Sequence, residues 1–409
     1  SCADGDDDML VKDLIVEQGM DVGVFGVKFF VDGRWTTVII DDLFPCVKSH
    51  NGTWKPIFAS PKDHVGQAQG ERELWALIFE KAWAKLHLSY EATAAGFTDD
   101  AHNYLTGGVN STVALGVKPE EEWHQLRELT AEDNFAFLST HTRAGIPDGE
   151  LRKKGLISGH AYSILGTFET LDSAIRLVQV RNPWGSDEWK GAYSDKAPEW
   201  TPELRLNAKA VDAEDGSFWM CFADFFKYYG DVAVCDPRVL CRMYSDGMAR
   251  LRGASAHWIA GKTAGGLSTA ATFKYNPQFE LCAEGSEVYI AAYQPDVRAL
   301  ELVREGLEFV SMSVYLIDPD AGPASSAKPA LALNFARQKA CRVEVVPGKT
   351  YRLVAAAWGP GVQGAFTLTA CGNSCSLKAL PLEIPSSNDA DKMALRPSRL
   401  AGCIISGGR

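Results

Sequence analysis

The chain has 409 residues, 46% of them hydrophobic and 23% charged. That composition fits a folded globular protein of two or three domains and excludes a disordered or fibrous one. The net charge of −11, with no cluster of Lys and Arg, excludes nucleic acid as a main partner, because phosphate binding needs such clusters.

In chain order, residues 8–18 (DMLVKDLIVEQ) have helical spacing with acidic residues at the front. Residues 22–32 and 35–41 are two short β runs around Asp32-Gly33, a hairpin signal. Residues 71–90 carry the strongest helical pattern, with an apolar stripe at 74, 75, 78, 79, 82, 83 and 86. A second helix is predicted over 119–129. From 134 the texture turns to β, through 134–140, 160–169, 174–183 and 216–230. The change from α-rich to β-rich falls near 110–130.

From about 240 onward there is almost no helical periodicity. Short strands recur instead (QFELCA, EVYIAAYQ, FVSMSVYLID, ALALNFA, CRVEVV, TYRLVAAAW, GAFTLTACG), punctuated by Gly, Pro, Asp and Asn. That rhythm predicts an antiparallel β-sandwich. The tail from about 385 is expected to be loosely ordered. No apolar run reaches the length of a transmembrane span, no secretory signal is visible, and no EF-hand loop pattern occurs.

The ten cysteines are scattered, and none sits in a His/Cys cluster with zinc-ligand spacing. They read as buried free thiols in a reducing compartment, which predicts a cytoplasmic protein. Cys46 and Cys221 both read as packing residues.

Two stretches carry chemistry. GHAYSILG at 159–166 puts His160 at the start of a strand, and VRNPWG at 180–185 puts Asn182 at the end of the next. A thiol nucleophile needs a base, and the base needs an acceptor that turns its free nitrogen toward the nucleophile. His160 and Asn182 suit those roles, with Trp184 placed to cover the bond between them. The plain alternative is a satisfied strand-end histidine beside a turn plugged by an aromatic ring.

The wider text favours the chemical reading. GLISGHAYSILG, VQVRNPWGSDEWKGAYSD and DGSFWMCFADFFKYY resemble the second half of the calpain peptidase core. WTTVIIDDLFP, ELWALIFEKAWAKLHLSYE and LTGGV resemble its first half, while WIAGKTAGG and FKYNPQFEL resemble the lead-in to the β-sandwich that follows it. The resemblance runs in order over roughly residues 1–400.

It implies an α+β fold: a papain-like core of two subdomains, then an antiparallel β-sandwich. The implied division is an α-rich, nucleophile-bearing subdomain over 1–120, a β-rich subdomain with His160 and Asn182 over 121–238, the sandwich over 239–385 and a tail over 386–409. His160 would be the general base, Asn182 its orienter and Trp184 their shield. The family's nucleophile sits in a Gly-x-Cys-Trp stretch, which residues 1–409 do not contain. Aligning back from Trp35 places that cysteine, and the glutamine of the oxyanion hole, ahead of Ser1, and Cys2 matches the end of the nucleophile helix rather than its start.

The resemblance further implies calcium. Glu73 matches a carboxylate ligand of one site; Glu188, Asp195 and Asp215 match ligands of a second, with a carbonyl from Ala213, and Ser217 stands where the family has a glutamate. The sandwich resembles modules that bind acidic phospholipid with calcium, although DPDAG at 318–322 reads as a turn. The implied function is calcium-dependent endoproteolysis of intracellular proteins by a Cys-His-Asn triad. The alternative is a calpain-like scaffold that binds proteins without cleaving them.

Overall fold

The computed structural model describes residues 13–16, 22–59, 74–94, 96–131, 136–237, 252–296, 310–321, 328–333 and 337–394. The fold is α+β, with antiparallel sheets throughout. The chain divides into two compact units: Ser1–Phe30 with Trp35–Cys241, and Val31–Arg34 with Arg242–Arg409.

Early in the chain comes a small sheet of β1 (Ile15–Val16), β2 (Val24–Val31) and β3 (Arg34–Asp41), in the first unit apart from Val31 and Arg34 at its hairpin end. Asp32 and Gly33 connect β2 to β3 with φ of 47° and 82°. Positive φ at both turn positions is the geometry that matches strand twist in a two-residue hairpin, and it explains the Asp-Gly pair. The helical spacing of 8–18 does not survive at Ile15 and Val16, which pair with Val27 and Gly26. There the open backbone edge of β2 offers partners that outweigh the local pattern; residues 8–12, 17 and 18 lie outside the described residues. Next, β4 (Cys46–Lys48) and β5 (Trp54–Pro56) form a short exposed ladder. Cys46 is exposed, so it is not the packing residue the sequence suggests.

Helix Trp75–Leu86 realises the predicted stripe only in part. Leu77, Ile78, Ala82 and Ala84 are buried. Phe79 and Trp83 meet Phe29 of β2 edge-on, with ring centroids 6.2 and 5.5 Å apart. Leu74 and Trp75 remain exposed.

The larger sheet of this unit has β6 (Val109–Val113), β7 (Phe137–His141), β8 (Ala161–Glu169), β9 (Arg176–Arg181), β10 (Ser217–Cys221) and β11 (Val232–Asp236), in the order β10-β9-β8-β7-β11-β6. Helix Pro119–Leu129 begins with proline at its first turn. The Glu122 carboxylate accepts from the backbone N–H groups of Gly116, Val117 and Lys118 at 3.1, 2.9 and 2.7 Å, which fixes the approach to that helix. Residues 216–230 are not all β: β10 passes at once into helix Phe222–Tyr228, whose Phe222, Phe225 and Tyr228 are buried at three-residue spacing. Trp123, Leu126, Tyr162, Phe218, Phe225 and Tyr229 lead the core beneath this sheet.

The second unit is the β-sandwich. Its strands are β12 (Arg252–Trp258), β13 (Gln278–Cys282), β14 (Glu287–Tyr293), β15 (Met312–Ile317), β16 (Leu331–Leu333), β17 (Gln338–Glu344), β18 (Thr350–Ala357), β19 (Gly364–Gly372) and β20 (Ser376–Ala379). One sheet runs β12-β19-β14-β17 and the other β16-β15-β18-β13-β20. Trp258 stacks on Phe366 with centroids 4.3 Å apart, and its indole N–H donates to the Ala355 carbonyl at 2.9 Å. A buried indole with its one donor satisfied is a stable core anchor.

The expected loose tail is ordered in part. Ser387–Lys392 is a helix whose Ser386 hydroxyl accepts from the Asp389 N–H at 3.2 Å, and Met393 behind it is fully buried. The Ser-x-x-Asp pattern is an N-cap signal. Cysteines 46, 221, 235, 282, 341, 371 and 375 are free thiols. Among the described residues no helix is long and apolar enough to cross a membrane.

Candidate active site

Antiparallel pairing of β8 with β9 sets Ser163 opposite Arg181, so the start of one strand lies beside the end of the other. His160 immediately precedes β8 and Asn182 immediately follows β9. Residues 22 apart in sequence thereby meet: His160 Nε2 lies 2.8 Å from Asn182 Oδ1.

The amide of Asn182 is fully buried and cannot turn over. Its Nδ2 donates to the carbonyls of Ser186 and Asp187 at 2.6 and 3.3 Å, while Oδ1 also accepts the Trp184 backbone N–H at 3.1 Å. The oxygen therefore faces His160, and Nε2 must carry the proton that bridges them. In the neutral ring, Nδ1 is then the lone-pair nitrogen, free to act as a base.

The surroundings hold this arrangement in place. The Trp184 ring lies over the imidazole with centroids 4.4 Å apart, although 58% of Trp184 is exposed. A half-exposed indole there limits the access of water to the His–Asn bond and strengthens it. Tyr162 meets the imidazole edge-on at 5.0 Å. The backbone of Asn182 is pinned by Gly216, whose carbonyl accepts the Asn182 N–H at 2.8 Å. Gly216 has φ of +88°, and a β-carbon there would lie 2.5 Å from the Asn182 carbonyl oxygen, so only glycine fits this approach.

The acidic residues of the 186–217 loop follow a different plan. Glu188 accepts the Gly216 N–H at 2.7 Å, Asp195 the Ala213 N–H at 3.1 Å and Asp215 the Ser217 N–H at 2.7 Å. Each carboxylate thus commits one oxygen to backbone. Burial, followed by repulsion from Glu188, Asp212 and Asp215, pushes Asp195 up to about 6, against the lowering effect of the Ala213 N–H. No three acidic, His or Cys side chains among the described residues converge closely enough to hold an ion. Glu188, Asp195 and Asp215 thus do not form a converged ion site in this structure. Glu73 and Cys2 lie outside the described residues.

Among the thiols, burial pushes Cys221 and Cys371 up to about 11, and Cys235 and Cys375 up to about 12. A nucleophilic thiolate needs the opposite shift, so these four are packing residues.

The comparisons with known proteins place the chain in a family. Residues 6–236 fit the family model described as calpain family cysteine protease. The chain belongs to the calpain family of cysteine proteases. It is 35% identical over 286 residues to the calpain-type cysteine protease DEK1 of Arabidopsis thaliana, covering 67% of this chain and 12% of that one. It is 30% identical over 376 residues to Calpain-9 of Homo sapiens, covering 85% and 51%. Calpain-8 of Rattus norvegicus is 29% identical over 398 residues, covering 88% and 54%. This calpain-family chain thus spans about half the length of these animal relatives and a much smaller share of the plant one. His160 and Asn182 were legible in the sequence. The carbonyls of Ser186 and Asp187 and the Gly216 contact were not, because backbone groups leave no residue-type signature; only the glycine hints at a close approach.

Proposed function

We propose that the protein is a calpain-type cysteine endopeptidase that cleaves intracellular proteins in the cytoplasm in response to calcium. The observation that carries this is the His160 Nε2–Asn182 Oδ1 bond, locked by a buried amide that leaves Nδ1 as the base. In the proposed reaction Nδ1 takes the proton of a cysteine thiol, and the thiolate attacks the peptide carbonyl carbon. The imidazolium then returns the proton to the leaving amine as the C–N bond breaks, and a thioester remains. Water, deprotonated by Nδ1, hydrolyses the thioester and regenerates the thiol. Asn182 holds the imidazolium by accepting its Nε2–H and, being neutral, suits a thiolate–imidazolium pair that already balances its own charge. The family pattern assigns the thiol to a Gly-x-Cys-Trp helix rather than to the buried cysteines.

Calcium is proposed to bind Glu188, Asp195 and Asp215 through their uncommitted oxygens, with a carbonyl from Ala213; hard oxygen donors of this kind are what calcium requires. The support is that burial first, and then the nearby charges of Glu188, Asp212 and Asp215, raise Asp195, and a divalent cation would offset both. Ser217 supplies no carboxylate, which predicts a weaker site. The sandwich is proposed as a docking module for protein substrates. Asp318 and Asp320 pair with Lys349 at 2.5 and 2.8 Å, which speaks against calcium-bridged phospholipid at that loop.

The test is cleavage of a casein substrate by the protein translated from its own transcript, with whatever the reading frame encodes ahead of Ser1. Calcium-stimulated cleavage that His160→Ala abolishes is expected. Equal cleavage by His160→Ala protein would sink the assignment. No cleavage by the unmutated protein, with calcium and reductant present, would favour the non-cleaving scaffold.

A further inference from the structure

His160 follows a turn that is itself held by a side chain from another strand. Thr142 directly follows β7, bridges to Tyr229 through backbone and is almost wholly buried. Its hydroxyl donates to the Ile157 carbonyl at 3.0 Å and accepts the Gly159 N–H at 2.9 Å. One hydroxyl thus closes a bridge across Ser158, and its second anchor is the residue bonded to His160. Gly159 has φ of +63°, so the backbone enters His160 through a left-handed residue that the Thr142 bond helps to hold. The Tyr162 hydroxyl accepts the Ile157 N–H at 3.0 Å, and burial pushes that phenol up to about 12, so it stays a neutral partner.

Building on the base assignment above, we propose that Thr142 is a positioning residue for His160. Its role is to fix the 157–159 turn so that the imidazole meets Asn182 through Nε2 and keeps Nδ1 turned to the substrate side. Packing alone does not need a hydroxyl here: valine has the same shape. The requirement is for one group that both donates and accepts, which threonine and serine supply and valine cannot. Misplacing a catalytic base by a fraction of an ångström costs rate more than substrate binding, because the loss falls on alignment for proton transfer.

The test compares Thr142→Val, Thr142→Ser and Thr140→Val, each in the transcript-encoded protein. Thr140 is an equally buried threonine that bonds to the Gly230 and Asp231 carbonyls at 3.3 and 3.2 Å, away from the 157–159 turn. Thr142→Val should lower kcat by about 10–100-fold with KM little changed. It should also weaken the Nε2–H signal of His160 in ¹⁵N-histidine NMR of the 409-residue chain. Thr142→Ser should restore all of these, while Thr140→Val should lower stability without moving them. If Thr142→Val matches the unmutated protein in kcat and in the His160 resonance, the inference is overturned. The same holds if Thr140→Val reproduces its effects. His160→Ala runs alongside: failure of that variant to abolish cleavage counts against the base assignment, whereas a loss there with no effect of Thr142→Val counts against Thr142 alone.

Discussion

Two neighbouring parts of the first unit solve opposite problems. Around Asn182 both amide atoms are committed: Oδ1 to His160 and the Trp184 N–H, Nδ2 to two carbonyls. Around Asp195 four acidic groups lie close together, and burial first, then repulsion, pushes Asp195 up to about 6. The first region is fully bonded before any ligand arrives; in the proposed reading, such preorganisation lowers the rearrangement needed during reaction. The second keeps like charges close together, and in the proposed reading a cation would offset them. Gly216 touches both, accepting from Asn182 with its carbonyl and donating to Glu188 with its N–H. A change of shape in the acidic loop therefore reaches the backbone of Asn182 through two hydrogen bonds joined by one residue.

The largest expected effects break the first region. His160→Ala removes the base and should lower kcat by about 10⁴–10⁶-fold, the range seen when a member of a catalytic unit is deleted. Asn182→Ala leaves the base but frees its tautomer and orientation, so a smaller loss of about 10²–10⁴-fold is expected. Single-turnover cleavage of one peptide by both variants checks the ranking. An Asn182→Ala enzyme as fast as the unmutated one would mean that the 2.8 Å bond orients nothing.

Gly216→Ala tests the link between the regions. The added β-carbon would meet the Asn182 oxygen at 2.5 Å and the Gly185 Cα at 2.7 Å, both of them backbone. Neither can swing aside as a side chain could, so the 182–185 turn must shift. A stability loss of about 1–3 kcal/mol is expected from the strained φ and the clash together. Chemical denaturation measures it, and the Nε2–H resonance of His160 should move with it. A stable protein with an unchanged His160 signal would show that the two regions are independent.

What the sequence disclosed follows from which features are local. The hairpin at Asp32-Gly33, helix Pro119–Leu129 and most sandwich strands rest on short-range pattern and turn chemistry, and the structure places them there. Ile15–Val16 was misread because a strand that exists only through its partner carries no pattern of its own. Phe222–Tyr228 was misread because aromatic residues favour strands by propensity, and the three-residue spacing of buried rings decides the matter only once a core exists. At the site, residue types singled out His160 and Asn182, and the structure brings them together. Their supports were hidden, because Thr142 is a common residue 18 positions from His160 and is brought near it only by the pairing of β7 with β8.

The smallest expected effect concerns the acidic loop. Asp195 has a folded pKa of about 6, above its ordinary 3.8. A carboxyl raised on folding contributes stability that is fully present below its unfolded value and is lost as pH rises through its folded one. Without calcium, the protein should therefore lose stability at this group as pH rises from about 4 to about 7. Calcium should stabilise it most above pH 6, where Asp195 is charged and the repulsion is unrelieved. Asp195→Asn keeps an oxygen to accept the Ala213 N–H but removes the charge. It should raise the melting temperature in chelator at neutral pH by about 2–4 °C, flatten the pH dependence and shrink the calcium-induced rise. Thermal melts of both proteins at acid and neutral pH, with chelator and with calcium, read all three. A calcium-induced rise that is the same in both proteins and at both pH values would place the calcium elsewhere, and the charge around Asp195 would then be a cost the fold carries without that return.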